Sequence, residues 1–462
     1  MADPYGQTTP SIYETARMVS LAPWLGGHAD RVRFLLAEQQ PNGAWGQPDG
    51  YGVVPTLSAT EALLRSPETR DAAMRGLHVL FDWNDRAIPD TIAAEVLVPQ
   101  LVEDINRHLD EAGWPRRLGL PAGIDSSLLT ALRARAAAGT PPPAKLWHSL
   151  EFLGPAAVAA AGVAPEHGLV CGSAAATAAW LGDGPAPANL EAMQARHGGP
   201  VPGICPITVF ENAWIAAAMA DAGLAHLVSP QIIDELRAAC GPDGAPAAPG
   251  LPADADDTAA VLYALAKLGS PVSSECLWRY ETTDYFQCFL GERSPSTSTN
   301  AHVLDALIAD PTRGARHEAA IAKVARWLVA LQEPDGSWWD KWHASPYYAT
   351  QCCVAALARS GQPGATEAVE RAGRWVLATQ RADGSWGRWR GTDEETSYAV
   401  QILLHTNGSP GAVARGCEFL RREDRDGQPD PLWHDKDLYA PVNVIAANRR
   451  ATLHLATLAH AR

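Results

Sequence analysis

Three carboxylates stand within four residues at Asp254-Ala-Asp256-Asp257, after a Gly/Pro-rich run from Gly241 to Pro252 and before the apolar stretch Ala259 to Leu265. Acidic side chains favour a helix N-terminus, and two of the three could serve as caps alone. Their density argues for more than capping. Like charges crowded before a buried helix cannot all ionise cheaply, so at least one stays protonated near neutral pH. A protonated Asp is a proton donor. Held in a dry pocket beside groups that stabilise a cation, it can act on a base as weak as an alkene. Aromatic faces stabilise cations without trapping them as a nucleophile would, and the chain carries 16 Trp against 7 Phe. Trp214, Trp278, Tyr285, Phe286, Tyr347, Tyr348 and Tyr398 are the candidates for such a wall.

The elements that position these groups are announced by a repeat. Gln39 to Trp45, Gln332 to Trp338 and Gln380 to Trp386 share the form QxxxGxW, and an aromatic precedes each Gln by five residues at Phe34, Trp327 and Trp375. Upstream of the second turn, Ile321, Val324, Leu328 and Leu331 fall on one face of a 3.6-residue period. Each unit is therefore a helix stopped by a turn whose Gly accepts left-handed geometry. The spacing predicts a Gln side chain that caps the free amides of the next helix and a Trp ring packed over the turn. Trp45, Trp338 and Trp386 are thus structural. With few alternating strand patterns, the fold class is all-α, built of stacked helix pairs as α-barrels. The 462 residues suit two such domains, with the Gly241–Pro252 run as the better border.

Composition narrows the function. A formal net charge of −15 excludes a phosphate-backbone partner, so nucleic acid is not expected. The eight cysteines include no CxxC pair and read as reduced, cytosolic thiols. Neither an N-terminal apolar leader nor a run of ~20 apolar residues is present, which predicts a cytoplasmic protein without a membrane span.

DxDDTA combined with QxxxGxW repeats resembles the class II terpene cyclases, of the shorter bacterial and plant diterpene branch rather than the longer squalene–hopene branch. The actinobacterial cyclases that make labdane-, clerodane- and halimane-type diphosphates are the most similar. The segments that carry this are Ser11 to Thr15, Glu95 to Pro99, Trp147 to Glu151, Phe210 to Trp214 and Ser298 to His302. Further on come Asp340 to Trp342, Ser345 to Tyr348, Glu394 to Tyr398, and Trp433 with Lys436 and Tyr439.

The resemblance implies two α-barrels, a catalytic one from residues 1–24 and 245–462 and an inserted one from 25–244, with the active site between them. It makes Asp256 the general acid within the Asp254, Asp256, Asp257 triad and Asn300 the group that orients its proton. Glu95 is implied to bind Mg²⁺ with the diphosphate, and Lys341 and Lys436 are candidate substrate contacts. His148 matches half of a plant His/Asn pair that takes the final proton, whereas the Asn position falls on Gly203. That departure argues against ent-copalyl diphosphate and for skeletons formed by hydride and methyl shifts.

The expected reaction is protonation of geranylgeranyl diphosphate to a bicyclic diphosphate. The alternatives are a farnesyl diphosphate cyclase making a drimane, a zinc-dependent prenyltransferase subunit, and a non-catalytic helical-repeat scaffold. No DDxxD helix is present, and Glu423 to Asp426 reads as a solvated loop, so the diphosphate is expected to stay on the product. A downstream class I terpene synthase or phosphatase would then consume it. A homodimer is compatible with this reading.

Overall fold

The computed structural model describes residues 5–83, 88–90, 93–406, 408–422 and 428–460. The Glu423 to Asp426 run lies outside them. Among the described residues the chain is almost wholly helical, with one two-residue strand pair, Trp433–His434 against Leu438–Tyr439. No described helix is long and apolar enough to cross a membrane.

Six helices close a ring in the second half of the chain: Thr208–Asp221, Ala255–Lys267, Thr297–Ala309, Pro346–Ser360, Asp393–His405 and Val442–His460, the last returning to the first. Between them run the outer helices Pro230–Ala239, Ala315–Ala330, Ala365–Ala378 and Pro410–Arg421. The last turns of all six inner helices, at Asp221, Lys267, Asp305, Arg359, His405 and Leu458, gather around one cavity. The inner helices therefore run in the same direction. Four of them start from a side chain that satisfies a free amide of the first turn, namely Asp254, Ser296, Ser345 and Thr392.

A smaller ring is formed by Ile12–Leu21, Val53–Leu63, Val98–Glu111 with the π-helical turn Ala93–Leu97, the 3₁₀ segment Ala144–Ala157, and Ala174–Leu181. This moves both expected borders. The helix Ile12–Leu21 packs inside the first ring, where Ala16, Val19, Leu35, Trp45 and Ala59 share one core. The helix Thr208–Asp221, expected in the inserted domain, instead completes the second ring, with Ala213 and Ala216 packed on Ala260 and Ala264. The change of barrel thus falls near residues 200–207, well before the Gly/Pro-rich run. That run only leads into the Ala255–Lys267 helix.

The three QxxxGxW turns are built alike. Gly43, Gly336 and Gly384 have φ of +92°, +101° and +89°, and a Cβ on any of them would meet the carbonyl oxygen of Arg75, Arg371 or Arg415 at 2.7–2.8 Å. Each Trp indole is fully buried and donates to a carbonyl ten residues upstream, Leu35, Leu328 or Val376, at 2.7 Å. The Gln role differs from the expected amide cap. Gln332 Nε2 donates to the carbonyls of Gly336 and Ala368 at 2.9 and 2.8 Å, while its oxygen accepts from Arg371 at 2.8 Å. The Gln therefore ties its turn to the next outer helix through carbonyls.

Candidate active site

The Asp triad occupies the first turn of the Ala255–Lys267 helix, at the end of the second barrel that faces the first. Asp254 is the N-cap, its carboxylate accepting from the Asp257 amide at 2.8 Å. Burial pushes the Asp254 carboxyl up to about 7, and burial together with the Asp254 charge holds Asp257 well above the ordinary carboxylate range. Asp257 Oδ1 is buried without a hydrogen-bond partner, which suits a carboxyl that keeps its proton. Asp256 points elsewhere, with Oδ1 2.7 Å from His302 Nδ1. The opposite ring nitrogen of His302 lies 3.5 Å from Cys352 Sγ. Burial works against charge on the His302 ring, but the Asp256 carboxylate outweighs it and raises the imidazole well above its usual value. Asp256 and His302 keep 15 % and 16 % of their side chains exposed, so the pair borders open space.

Aromatic rings surround this pair. Trp214 meets His302 edge-on at 5.3 Å, and Phe210, Tyr348, His343 and Tyr398 continue the cluster around Trp433. Glu394 orients it from below, accepting from Trp433 Nε1 at 2.6 Å and Tyr398 Oη at 3.0 Å.

A second pair of titratable groups joins the barrels. His148 Nδ1 donates to the Cys171 carbonyl at 2.8 Å, and Nε2 stands 3.0 Å from Asp435 Oδ2. Both ring nitrogens thus face oxygen acceptors. Burial disfavours the charged ring, yet Asp435 outweighs it and raises the His148 pKa, while the His148 charge holds Asp435 low against its own burial. Burial, together with the charges of Asp435, Asp257, Glu394 and Asp256, holds the Tyr439 phenol well above its ordinary value.

At the rim, Arg293 from the second barrel binds Glu95 at 2.8 Å and also pairs with Asp90. Among the described residues no three His, Cys, Asp or Glu side chains gather as an all-protein metal cage would require. Two carboxylates that already grip one cation do fit a magnesium ion that takes its other oxygens from phosphate and water.

Three comparisons bear on this arrangement. The squalene-hopene cyclase C-terminal domain profile matches residues 292–441. The ent-copalyl diphosphate synthase of Streptomyces sp. (strain KO-3988) is 50 % identical, over 98 % of this chain and 93 % of its own length. The chain belongs to the bacterial class II diterpene cyclases. The labda-7,13-dienyl diphosphate synthase of Streptomyces clavuligerus is 42 % identical over 98 % of this cyclase and 90 % of its own length. The solved ent-copalyl diphosphate synthase from Streptomyces platensis superposes with a TM-score of 0.93 at 48 % identity, covering 99 % of this chain and 97 % of its own.

Within the cyclase, several expected site residues prove to do other work. Asn300 does not reach Asp256: its amide accepts from the Phe286 N–H and donates to the Phe286 and Ser296 carbonyls at 2.8–3.0 Å, pinning a loop to the barrel. His302, two residues on, pairs with Asp256 instead. Lys436 is 1 % exposed and fully engaged with Glu14, Glu151 and Ser173 at 2.5–2.8 Å, so it joins the barrels and is not available to substrate. Lys341 is bound to Glu292 and the Ser294 carbonyl, both at 2.6 Å. Of the aromatic candidates, Trp214, Tyr348 and Tyr398 lie around His302. The other four pack outward. Tyr285 lies against Trp327, Tyr347 against Trp375, and Trp278 against His317 and Phe286, because the loop and outer helices need apolar cover there.

Residue type and spacing alone give His302, Asp435 and Arg293 no role. His302 lies in the Ser298 to His302 segment, but its partner is 46 residues away, and nothing local marks the pairing.

Proposed function

We propose that this cyclase converts geranylgeranyl diphosphate to ent-copalyl diphosphate. Asp256 gives its proton to the terminal alkene, two ring closures follow, and a tertiary cation forms that loses a proton to complete an isomerisation. The observation that carries this reading is the Asp256–His302 pair, a poised acid beside Trp214 at the mouth of an aromatic-lined barrel. A farnesyl substrate is not favoured, because the relatives are named for diterpene diphosphates.

The His148–Asp435 pair is the proposed end of the reaction. With acceptors at both nitrogens the His148 ring carries two protons, so the basic group of the pair is the Asp435 carboxylate and His148 is its counter-ion. Gly203 supports this, since a Cβ at that position would stand 3.4 Å from Asp435 Oδ2. The carboxylate serves where the plant amide would, which removes the reason to expect a long-lived cation and shifted skeletons. Mg²⁺ would be held with the diphosphate by Glu95 and Asp90 at the rim, where it neutralises phosphate charge. The retained diphosphate then passes to a second enzyme in the cytoplasm.

Purified protein incubated with geranylgeranyl or farnesyl diphosphate and Mg²⁺, followed by phosphatase and product identification, tests this. A copalol-type bicyclic diterpene alcohol that appears only after phosphatase is the expected result. Pyrophosphate released in step with cyclisation would sink the reading.

A further inference from the structure

Six of the eight cysteines are buried, and the two that are only half-buried, Cys240 and Cys276, have thiols that hydrogen-bond to each other. Both are held in place. Cys240 caps the end of the outer helix Pro230–Ala239 and leads into a tight turn, whose Gly241 and Gly244 exchange hydrogen bonds at 2.9 and 3.1 Å. Cys276 stands in the 3₁₀ segment Ser274–Tyr280. Asp310 fixes the start of that segment, accepting from the Ser274 amide and hydroxyl at 2.9 and 2.6 Å. Its end is tied to the turn itself: Tyr280 Oη donates to the Asp243 carbonyl at 2.9 Å, and Arg279 pairs with the Asp243 carboxylate. The thiols therefore meet between two short pieces of chain that are already joined beside them. The two sulfurs are not equivalent. Hydrogen bonding from Cys276 lowers the Cys240 thiol against its burial, and the same contact together with burial pushes Cys276 up. Cys240 is the readier nucleophile and Cys276 the partner that keeps its proton.

The proposed cyclisation uses neither thiol. We infer that Cys240 and Cys276 form a peroxide-sensitive dithiol, oxidised reversibly to a disulfide that staples together the two ends of the segment carrying the acid. The Cys240 sulfur attacks one oxygen of hydrogen peroxide, the O–O bond breaks, and the other oxygen leaves as water with the Cys240 proton. A sulfenic acid remains. The Cys276 sulfur then attacks Cys240, an S–S bond forms as the S–O bond breaks, and the hydroxyl departs as water with the Cys276 proton. The thiols give up two electrons, and the peroxide takes them. A dithiol reductant reverses the bridge by exchange. What the bridge encloses gives it meaning. Between Cys240 and Cys276 lie the whole Gly241 to Pro252 run, the Asp triad and the Ala255–Lys267 helix. The disulfide would close that stretch into a covalent ring and restrict its unfolded states.

The test treats reduced, native full-length protein with hydrogen peroxide, then denatures it and alkylates the remaining thiols with N-ethylmaleimide. Intact mass should show six alkylated thiols where untreated protein shows eight. Peptide mapping should recover Cys240 joined to Cys276, and dithiothreitol should restore all eight. Oxidation should also raise the melting temperature by several degrees. Cys276→Ser should stop at a Cys240 sulfenic acid that dimedone traps, and Cys240→Ser should leave Cys276 unreacted. Both variants should cyclise at the parent rate while reduced, which reports that they are folded. The mapping of the parent protein stands without either of them. The inference is overturned if all eight thiols of the treated parent are still alkylated, if peroxide joins another pair, or if the bridge forms without a rise in melting temperature. A folded Cys276→Ser protein with no trapped sulfenic acid at Cys240 would overturn it as well.

Discussion

Replacing Asp256 by Asn keeps the size and shape of the side chain but removes its acidic proton. Cyclisation should fall by more than about a hundredfold, ~3 kcal/mol in the barrier, with an unchanged circular dichroism spectrum. Asn300→Ala should do the reverse. It removes three buried hydrogen bonds to Phe286 and Ser296, so melting should report a loss of about 2–3 kcal/mol while the folded fraction keeps its turnover. Asp435→Asn should alter the product mixture more than the rate, read by product analysis after phosphatase treatment, because the cation still forms but its exit changes. These contrasts mark what single residues reveal. The triad is legible from its charge density alone. The pairing of Asp256 with His302 rather than Asn300 is not, because positions 300 and 302 face different sides of one helix turn and only packing decides which meets the acid.

Helices and turns were the most legible scale, and the reason is locality. Gln, Gly and Trp in each QxxxGxW turn act within about ten residues, so the repeat can be read before any tertiary contact is known. Only the Gln acceptors were misassigned, since a side-chain amide can donate or accept and spacing does not distinguish the two. Trp338→Ala should cost about 3–5 kcal/mol, measured by denaturant unfolding, because a fully buried indole and its bond to the Leu328 carbonyl are both lost. Membership of a ring was less legible. The Thr208–Asp221 helix looks like its neighbours in sequence, and its place beside Ala255–Lys267 and Val442–His460 is fixed by contacts more than 30 residues distant.

For the whole molecule, the buried group Lys436, Glu14 and Glu151 ties the last segment of the chain to the first barrel. Lys436→Met would strand two buried carboxylates and should destabilise the protein by about 3–5 kcal/mol, seen as a lower melting temperature. Acidity acts at this scale too. Burial raises Asp254, Asp437 and Glu395 each to about 7 from ordinary values of 3.8, 3.8 and 4.5. Folded carboxyls that keep protons which the unfolded chain has lost favour the folded state below those ordinary values, and the benefit disappears as pH rises through about 7. Melting temperature should therefore decline between about pH 4 and about pH 7, more steeply than in an Asp254→Asn variant. The common direction of the six inner helices bears on the acid in one more way. Each helix carries a macrodipole with its positive end toward the Asp triad, and six such ends sum where Asp256 lies. In the proposed reaction negative charge appears there at the instant the proton leaves for the alkene, and the aligned peptide dipoles of the whole barrel would stabilise that newborn anion.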